Sequence, residues 1–182
     1  KYSVSNLDNE HGEMFLSQKV QHQLPYSLAD AEPYNTNQAG LGMTIENTYI
    51  RSPLRGTFNL SNILGAVALA RARGISLNVI KQALEQTSVI PGRVEPIQAG
   101  QDFSVFVDYA HTPDSLQALY EAFPDQPKIC VLGNTGGGRD TWKRKAMGAL
   151  ADEHCSHSIL TDEDPYDEDP KQIVQQMKEG FT

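Results

Sequence analysis

The chain has 182 residues, a net charge of −8 and a hydrophobic fraction of 39%, enough for one large or two small globular domains. The acidic balance argues against a nucleic-acid-binding protein, which would carry a basic face. No apolar run is long enough to span a bilayer, and we expect no signal peptide. Because the chain starts at Lys1 and stops just after a predicted helix end at Gly180, we expect it to be a fragment of a longer cytoplasmic protein.

The first half of the chain mixes short strands with two helices. The predicted elements are strand-like runs over 1–7 and 38–50, and amphipathic helices over 59–73 and 77–86. Gly74 ends the first of these helices, and Ser76 is the predicted N-cap of the second. Pro91 and Gly92 then break the pattern, and we place a domain boundary there, between segments 1–91 and 92–182.

The second half alternates strands with helices. The predicted strands are 94–98, 103–108, 128–132 and 157–161, and the predicted helices are 113–123, 141–154 and 170–179. This alternation predicts an α/β fold with a parallel sheet and right-handed crossovers, as in the start of a Rossmann-like domain. The apolar run from Phe103 to Val107 is expected to be a buried strand.

The two cysteines have no metal-ligand spacing. Cys130 lies inside an apolar run and is expected to be a small core residue. A disulfide between Cys130 and Cys155 is not expected in a cytosolic enzyme.

Asp108 and His111 stand at the carboxyl end of a predicted strand, just before a helix start at Thr112-Pro113. Ligands bind at this position in open α/β sheets. The Asp108 carboxylate can accept hydrogen bonds from ribose hydroxyls, and His111 can bond a phosphate or a peptide carbonyl. The alternative is that Asp108 caps the next helix and His111 is an ordinary turn residue.

A glycine-rich loop, Gly133 to Asp140, follows the strand 128–132. Such a loop lets backbone N–H groups reach an anion at a helix N-terminus. It is not a nucleotide P-loop, because Arg139-Asp140 stands where Lys-Ser/Thr is needed. Arg139 can instead offer a planar fork to a carboxylate; the alternative is a flexible connector. We expect the basic residues 143–145 to form a solvated face. The alternative is that one of them points at the same site as Arg139.

An acidic loop follows the strand 157–161. Six of the eight residues from Asp162 to Asp169 are acidic, so the loop could receive a cationic substrate group, although it does not fit an EF-hand. The alternative is a solvated loop, and in either case Asp169 is expected to cap the helix that starts at Pro170. Arg93, at the predicted boundary, could touch a ligand held in a cleft; a surface arginine is the alternative there.

The order and wording of these motifs resemble the Mur ligase family. They run from Phe58-Asn59-Leu60-Ser61-Asn62 through Pro91-Gly92-Arg93-Val94-Glu95, Asp108-Tyr109-Ala110-His111-Thr112-Pro113-Asp114 and the glycine loop to the acidic loop. The third motif is most similar to the UDP-N-acetylmuramyl-tripeptide synthetase (MurE) branch. The resemblance implies that residues 1–91 are the rear half of an ATP-binding central domain. Residues 92–182 would then be the front of a Rossmann-like amino-acid-binding domain.

The resemblance also implies roles for individual residues. Those that would bind the nucleotide are Asn59, Asn62, Arg93, Asp108 and His111. Those that would bind the incoming amino acid are Arg139, Glu163, Asp164, Pro165 and Tyr166. The family's phosphate loop, metal ligands and carbamylated lysine match nothing in this chain, so we expect no catalytic residue here and no ligase activity from the chain alone.

The implied reaction uses ATP and Mg²⁺ to join a free amino acid to UDP-N-acetylmuramoyl-L-Ala-D-Glu through an acyl phosphate. The expected protein is a monomer without nucleic-acid or membrane partners. Diaminopimelate-adding members carry Asp-Asn-Pro-Arg where this chain has Glu163-Asp164-Pro165-Tyr166. Because a tyrosine carries no charge and the neighbouring carboxylates favour an ammonium group, we predict lysine or ornithine over diaminopimelate. The alternatives are a ligase of the cyanophycin or folylpolyglutamate type and a non-catalytic ligase-like module.

Overall fold

A computed structural model describes residues 1–37, 39–124, 126–138 and 140–182. The chain divides into two compact units, Lys1–Asp108 and Tyr109–Thr182. Within the described ranges, no helix is both long and apolar enough to cross a membrane.

The first unit combines three small sheets with helices. Its elements are β1 (Tyr2–Asn6), α1 (Gly12–Leu16), β2 (His22–Tyr26), a 3-10 helix (Leu28–Ala31), β3 (Asn35–Asn37), β4 (Gly40–Ile45), β5 (Thr48–Ser52), α2 (Thr57–Ala72), α3 (Leu77–Gln86), β6 (Glu95–Ile97) and β7 (Val105–Val107). β1 and β2 pair in parallel, β3-β4-β5 form an antiparallel sheet, and β6 and β7 form an antiparallel hairpin. Gln38, where the second strand-like run was predicted to begin, lies outside the described residues.

The core of the first unit lies between α2 and the antiparallel sheet. Leu60, Ile63 and Leu64 of α2 are buried in one cluster with Met43 and Ile50 of β4 and β5. Burial of this apolar face stabilises α2, because helices in proteins depend more on packing than on intrinsic propensity. The two predicted helices of this unit are confirmed.

Local signals set the start of α3. Ser76 is the N-cap, and its hydroxyl accepts a hydrogen bond from the Val79 backbone N–H at 3.5 Å, as predicted.

The second unit is a strand–helix–strand motif flanked by two further helices. Its elements are α4 (Pro113–Glu121), β8 (Ile129–Leu132), α5 (Lys143–His154), β9 (His157–Leu160) and α6 (Pro170–Lys178). β8 and β9 are parallel, with Ile129 opposite His157 and Leu132 opposite Leu160. Because α5 connects them, this is the parallel α/β arrangement that the alternating pattern predicted.

Two expectations about the strands before α4 were wrong. β6 and β7 pair with each other in antiparallel fashion. The link between them is shorter than the dozen or so residues that a parallel crossover needs, and it turns at Gly100, which has φ +85°. The run that ends in β7 is also not buried, since Phe103 is 66% and Val107 48% exposed.

We predict that Gly148→Ala destabilises the second unit by about 2 kcal/mol, although alanine normally stabilises a helix interior by up to about 1 kcal/mol relative to glycine. A Cβ at position 148 of α5 would overlap the backbone carbonyl oxygen of Met177 on α6. Chemical denaturation of the two forms measures the difference. The matched change Gly65→Ala in α2 places its Cβ 3.2 Å from the side-chain ring of Tyr26 and not against backbone, so it should cost much less. Equal losses would contradict this account of the contact.

Candidate functional site

The start of α2 holds Asn59 and Asn62, the two asparagines expected near a nucleotide. Asn59 is 1% exposed, and its side-chain amide donates to the Arg55 carbonyl oxygen at 2.7 Å. The Asn62 amide donates to Asn59 Oδ1 at 3.4 Å, and the Asn62 side chain is exposed. Asn59 therefore fixes the turn that leads into the helix, and Asn62 is the member of this pair that solvent can reach.

Asp108 holds the turn that contains Arg93. Its Oδ2 accepts the Val94 backbone N–H at 2.8 Å. Val94 is 6% exposed and has φ +49°, a left-handed conformation that costs a β-branched residue roughly 1–2 kcal/mol. Arg93 is exposed, and its backbone N–H bonds the Ile90 carbonyl at 3.0 Å. The end of β7 and the Pro-Gly-Arg-Val-Glu turn are therefore joined through the Asp108 carboxylate.

Asp108 is not the cap of the following helix. Thr112 is the N-cap of α4, and Thr112 and Ser115 form a capping box in which Thr112 Oγ1 accepts the Ser115 N–H at 3.3 Å. His111, just before the cap, is exposed. Its Nδ1 lies 2.9 Å from the Tyr109 carbonyl oxygen, and its ring lies 4.9 Å from the Tyr109 ring. The local backbone thus fixes the orientation of the imidazole.

The glycine loop and the acidic loop lie side by side at the carboxyl ends of β8 and β9. The Gly136 N–H donates to the Asp164 carbonyl oxygen at 3.1 Å. A Cβ at position 136 would overlap the Pro165 carbonyl oxygen, and one at position 133 would stand 2.9 Å from Glu163 Cβ. The glycines therefore permit close backbone packing, which a flexible connector would not require.

The acidic loop presents its predicted binding residues to solvent. Glu163, Asp164 and Tyr166 are exposed, and Tyr166 is 70% exposed. Asp164 has φ +36° and Tyr166 φ +53°, conformations that non-glycine residues adopt at a cost and that cluster at ligand-binding sites. The Tyr166 ring lies 3.5 Å from the position of a Cβ on Gly137. Arg139, the predicted carboxylate-binding residue, lies outside the described residues.

The sequence-based prediction for Arg144 was wrong. This residue was expected on a solvated face, yet its relative exposure is 0%, and Lys143 is also buried. Its guanidinium donates to both carboxylate oxygens of Glu168, at 2.8 and 3.0 Å. Consecutive helical residues point about 100° apart, so one of three basic residues can face inward. Its partner stands 24 positions later in the chain, which no local spacing rule reveals.

Glu168 is held in its charged form by these contacts. The Arg144 guanidinium and the Gly138 backbone N–H, 2.7 Å from Oε1, lower the pKa of this carboxyl from 4.5 to about 2. Since the folded-state pKa is depressed, the stabilisation is fully present above about pH 5 and is lost as the pH falls towards 2.

We therefore predict a pH-dependent stability difference between the unmodified chain and Glu168→Gln. The unmodified chain should have the higher melting temperature at pH 7, and the two values should converge as the pH falls from about 5 to 2. Thermal unfolding followed by circular dichroism at several pH values measures this. A constant difference over that range would mean that Glu168 titration makes no contribution to folding.

The remaining polar predictions concern α6 and the cysteines. Asp169 caps α6 as predicted, with Oδ1 accepting the Lys171 N–H at 3.0 Å. Cys130 and Cys155 are free and half-buried, and both pack against the apolar cluster of the second unit. Burial raises the pKa of the Cys155 thiol to about 12, which makes it a weak nucleophile at neutral pH. Among the described residues, no three His, Cys, Asp or Glu side chains converge to hold a metal ion.

The second half of the chain matches a known family. The model described as "Mur ligase, glutamate ligase domain" matches residues 92–182. A UDP-N-acetylmuramoyl-L-alanyl-D-glutamate--2,6-diaminopimelate ligase from Oceanobacillus iheyensis is 36% identical over 188 residues, covering 97% of this chain and 38% of that protein. The protein of the same name from Synechococcus elongatus is 36% identical over 194 residues, covering 98% of this chain and 39% of that protein. The chain thus spans less than half the length of these relatives.

Solved structures give the same result for the fold. A structure of a ligase with that name is 30% identical and aligns with a TM-score of 0.55, covering 100% of this chain and 41% of the other. A crystal structure of MurF from Acinetobacter baumannii is 22% identical with a TM-score of 0.77, covering 97% of this chain and 40% of the other. The second likeness establishes the fold alone.

Proposed function

We propose that this chain, which belongs to the Mur ligase family, is part of a longer ATP-dependent ligase that adds an amino acid to a peptidoglycan precursor. The proposal rests chiefly on one observation: the glycine loop and the acidic loop pack backbone to backbone at the carboxyl ends of β8 and β9. Ligands bind at this edge of open α/β sheets. The family resemblance implies that these two loops bind the incoming amino acid.

The reaction we propose has two steps. ATP phosphorylates the terminal carboxylate of UDP-N-acetylmuramoyl-L-Ala-D-Glu, giving ADP and an acyl phosphate. The amino group of the incoming amino acid then attacks the acyl carbon, and inorganic phosphate leaves as the amide bond forms. This chain would contribute by holding the amino group near the acyl carbon, because positioning supplies much of the rate of such reactions.

Magnesium, when bound, would neutralise charge on the transferring phosphoryl group. The described residues offer no cluster of three or more His, Cys, Asp or Glu that fits it, so we derive no step through the metal from this chain.

We propose that the nucleotide-binding residues are Asn59, Asn62, Arg93, Asp108 and His111. Asp108 accepts the Val94 N–H at 2.8 Å, and a carboxylate is also a chemically suitable acceptor for a ribose hydroxyl. We keep 91/92 as the proposed domain boundary, because the family model begins at residue 92. The two compact units divide instead at 108/109, and the β6–β7 hairpin lies between these two positions in the sequence. A cytoplasmic monomer is part of the same proposal.

For the acceptor amino acid, the relatives and the residues of this chain favour different candidates. The relatives' names contain 2,6-diaminopimelate, which makes that diamino acid the first candidate and gives no support to the prediction of lysine or ornithine. One observation favours these two as the second candidate: position 166 is an exposed tyrosine, which offers no positive charge to a distal carboxylate.

The test is phosphate release from ATP by the full-length parent protein, with UDP-N-acetylmuramoyl-L-Ala-D-Glu and one amino acid at a time. We expect phosphate release that requires both UDP-N-acetylmuramoyl-L-Ala-D-Glu and one of diaminopimelate, lysine or ornithine. The isolated 182-residue chain should release no phosphate. Parallel reactions with a folate substrate and glutamate, and with an aspartate–arginine polymer and its amino acids, test the folylpolyglutamate and cyanophycin alternatives. A folded parent that binds ATP but releases phosphate in none of these reactions would favour the non-catalytic module.

A further inference from the structure

We propose that Arg144 and Glu168 form a positioning pair that sets the spacing between the glycine loop and the acidic loop, and so controls the affinity for the amino-acid acceptor. This inference rests on the proposed ligase function. Neither side chain is proposed to touch the acceptor; they act through the loops that would hold it.

The Arg144 side chain reaches three separate parts of the second unit. Besides the two bonds to Glu168, Nη1 donates to Gln176 Oε1 of α6 at 2.6 Å, and Nη2 donates to the Thr135 carbonyl oxygen at 3.1 Å. A planar guanidinium can make these bonds at once because its donors have a fixed geometry. One residue at the start of α5 therefore holds the first part of the glycine loop, the end of the acidic loop and α6 in a single arrangement.

Glu168 completes the connection. Its Oε1 accepts the Gly138 N–H at 2.7 Å, so the pair holds the glycine loop at Thr135 and again at Gly138. Gly138 directly precedes Arg139 in the sequence, and Glu168 is two residues after Tyr166. The pair thus anchors the backbone of both loops that we propose bind the acceptor.

The chemistry of the pair favours a geometric role. Burying a charged pair rarely adds net stability over apolar residues of the same size, because the desolvation cost offsets the attraction. Arg144 is 0% exposed, and its Nε has no hydrogen-bond partner among the described residues. What the pair does supply is a rigid, directional link between two loops, one of which has strained backbone at Asp164 and Tyr166.

The test compares Arg144→Lys and Glu168→Gln in the full-length parent. Lysine keeps the charge but cannot make the forked contact, and glutamine keeps the shape but loses the charge. We expect the KM for the amino acid to rise about tenfold or more in both variants, while the KM for ATP stays within roughly twofold. Steady-state phosphate release at varied amino acid and varied ATP measures both constants.

The control variant is Ala151→Gly, at the other end of α5. Ala151 is 0% exposed and lies in the apolar cluster of the second unit, so the change lowers stability without removing a loop contact. It should leave the KM for the amino acid unchanged at a temperature where all variants are folded. An unchanged acceptor KM in Arg144→Lys and Glu168→Gln, or an equal rise in Ala151→Gly, would overturn the positioning role.

The unmodified parent separates the two proposals. If it releases no phosphate with any acceptor, the ligase function fails, and the positioning role fails with it. If it is active and the two variants keep its acceptor KM, the positioning role alone fails.

Discussion

Gly136→Ala in the full-length parent is expected to lower kcat/KM for the amino-acid acceptor by about a hundredfold. A Cβ at this position would overlap the Pro165 carbonyl oxygen, and backbone cannot move aside as a long side chain can. The Gly136 N–H also donates to the Asp164 carbonyl oxygen at 3.1 Å, so separating the loops would break that bond as well. The two loops that we propose bind the acceptor would then be displaced by about an ångström or more, a misplacement large enough for this loss.

The matched control is Gly138→Ala in the same loop. A Cβ there meets nothing within 4 Å, although its φ of +70° makes alanine unfavourable by about 1 kcal/mol. We expect this variant to be slightly less stable and to keep much more activity than Gly136→Ala. Steady-state kinetics with varied acceptor, run on both variants, measures the difference. Equal activity losses would mean that contact between the loops does not matter for acceptor binding.

The second large effect is expected from Tyr166→Arg. Tyr166 is exposed at the end of the segment Glu163-Asp164-Pro165-Tyr166. The family resemblance implies an arginine at this position in the members that add diaminopimelate. An arginine would offer a charge-assisted, forked contact to the distal carboxylate of diaminopimelate. The free amino acid lysine has no distal carboxylate. The ratio of kcat/KM for diaminopimelate to that for lysine should rise about tenfold to a hundredfold, since a charge-assisted hydrogen bond contributes roughly 1.5–3 kcal/mol.

Competition between the two amino acids, with products separated by mass, measures this ratio directly. Tyr166→Phe is the control, because it keeps the ring beside Gly137 and removes only the hydroxyl. It should change the ratio little. A ratio that is the same in Tyr166→Arg and the unmodified protein would show that position 166 does not face the distal end of the acceptor.

Features with short-range signals could be predicted from the sequence. Ser76 and Asp169 both stand directly before an amphipathic run, and both cap the helix that follows. The alternation of strands and helices after residue 128 predicted the parallel pair β8–β9. These features depend on residues a few positions apart, so a linear pattern contains the information that they need.

Features that depend on distant partners could not be predicted. Asp108 accepts a hydrogen bond from a backbone N–H 14 positions earlier in the chain. Arg144 donates hydrogen bonds to Glu168 and Gln176, which are 24 and 32 positions later in the sequence. The β6–β7 hairpin was mistaken for parallel strands because an apolar run gives no information about its partner's direction. For the glycine loop, the sequence indicated only that backbone N–H groups could reach an anion, and the close packing of Gly136 against Pro165 became known only from the structure.

The most direct test of the ligase account is a mass spectrum of the products made by the full-length parent from UDP-N-acetylmuramoyl-L-Ala-D-Glu labelled with ¹⁸O in the terminal glutamate carboxylate. The account predicts a nucleotide-linked peptide heavier by one amino-acid residue and inorganic phosphate that contains one ¹⁸O atom, since the acyl phosphate passes a carboxylate oxygen to phosphate. Unlabelled phosphate together with an unextended peptide would mean that the protein hydrolyses ATP without forming the acyl phosphate, and would contradict the account.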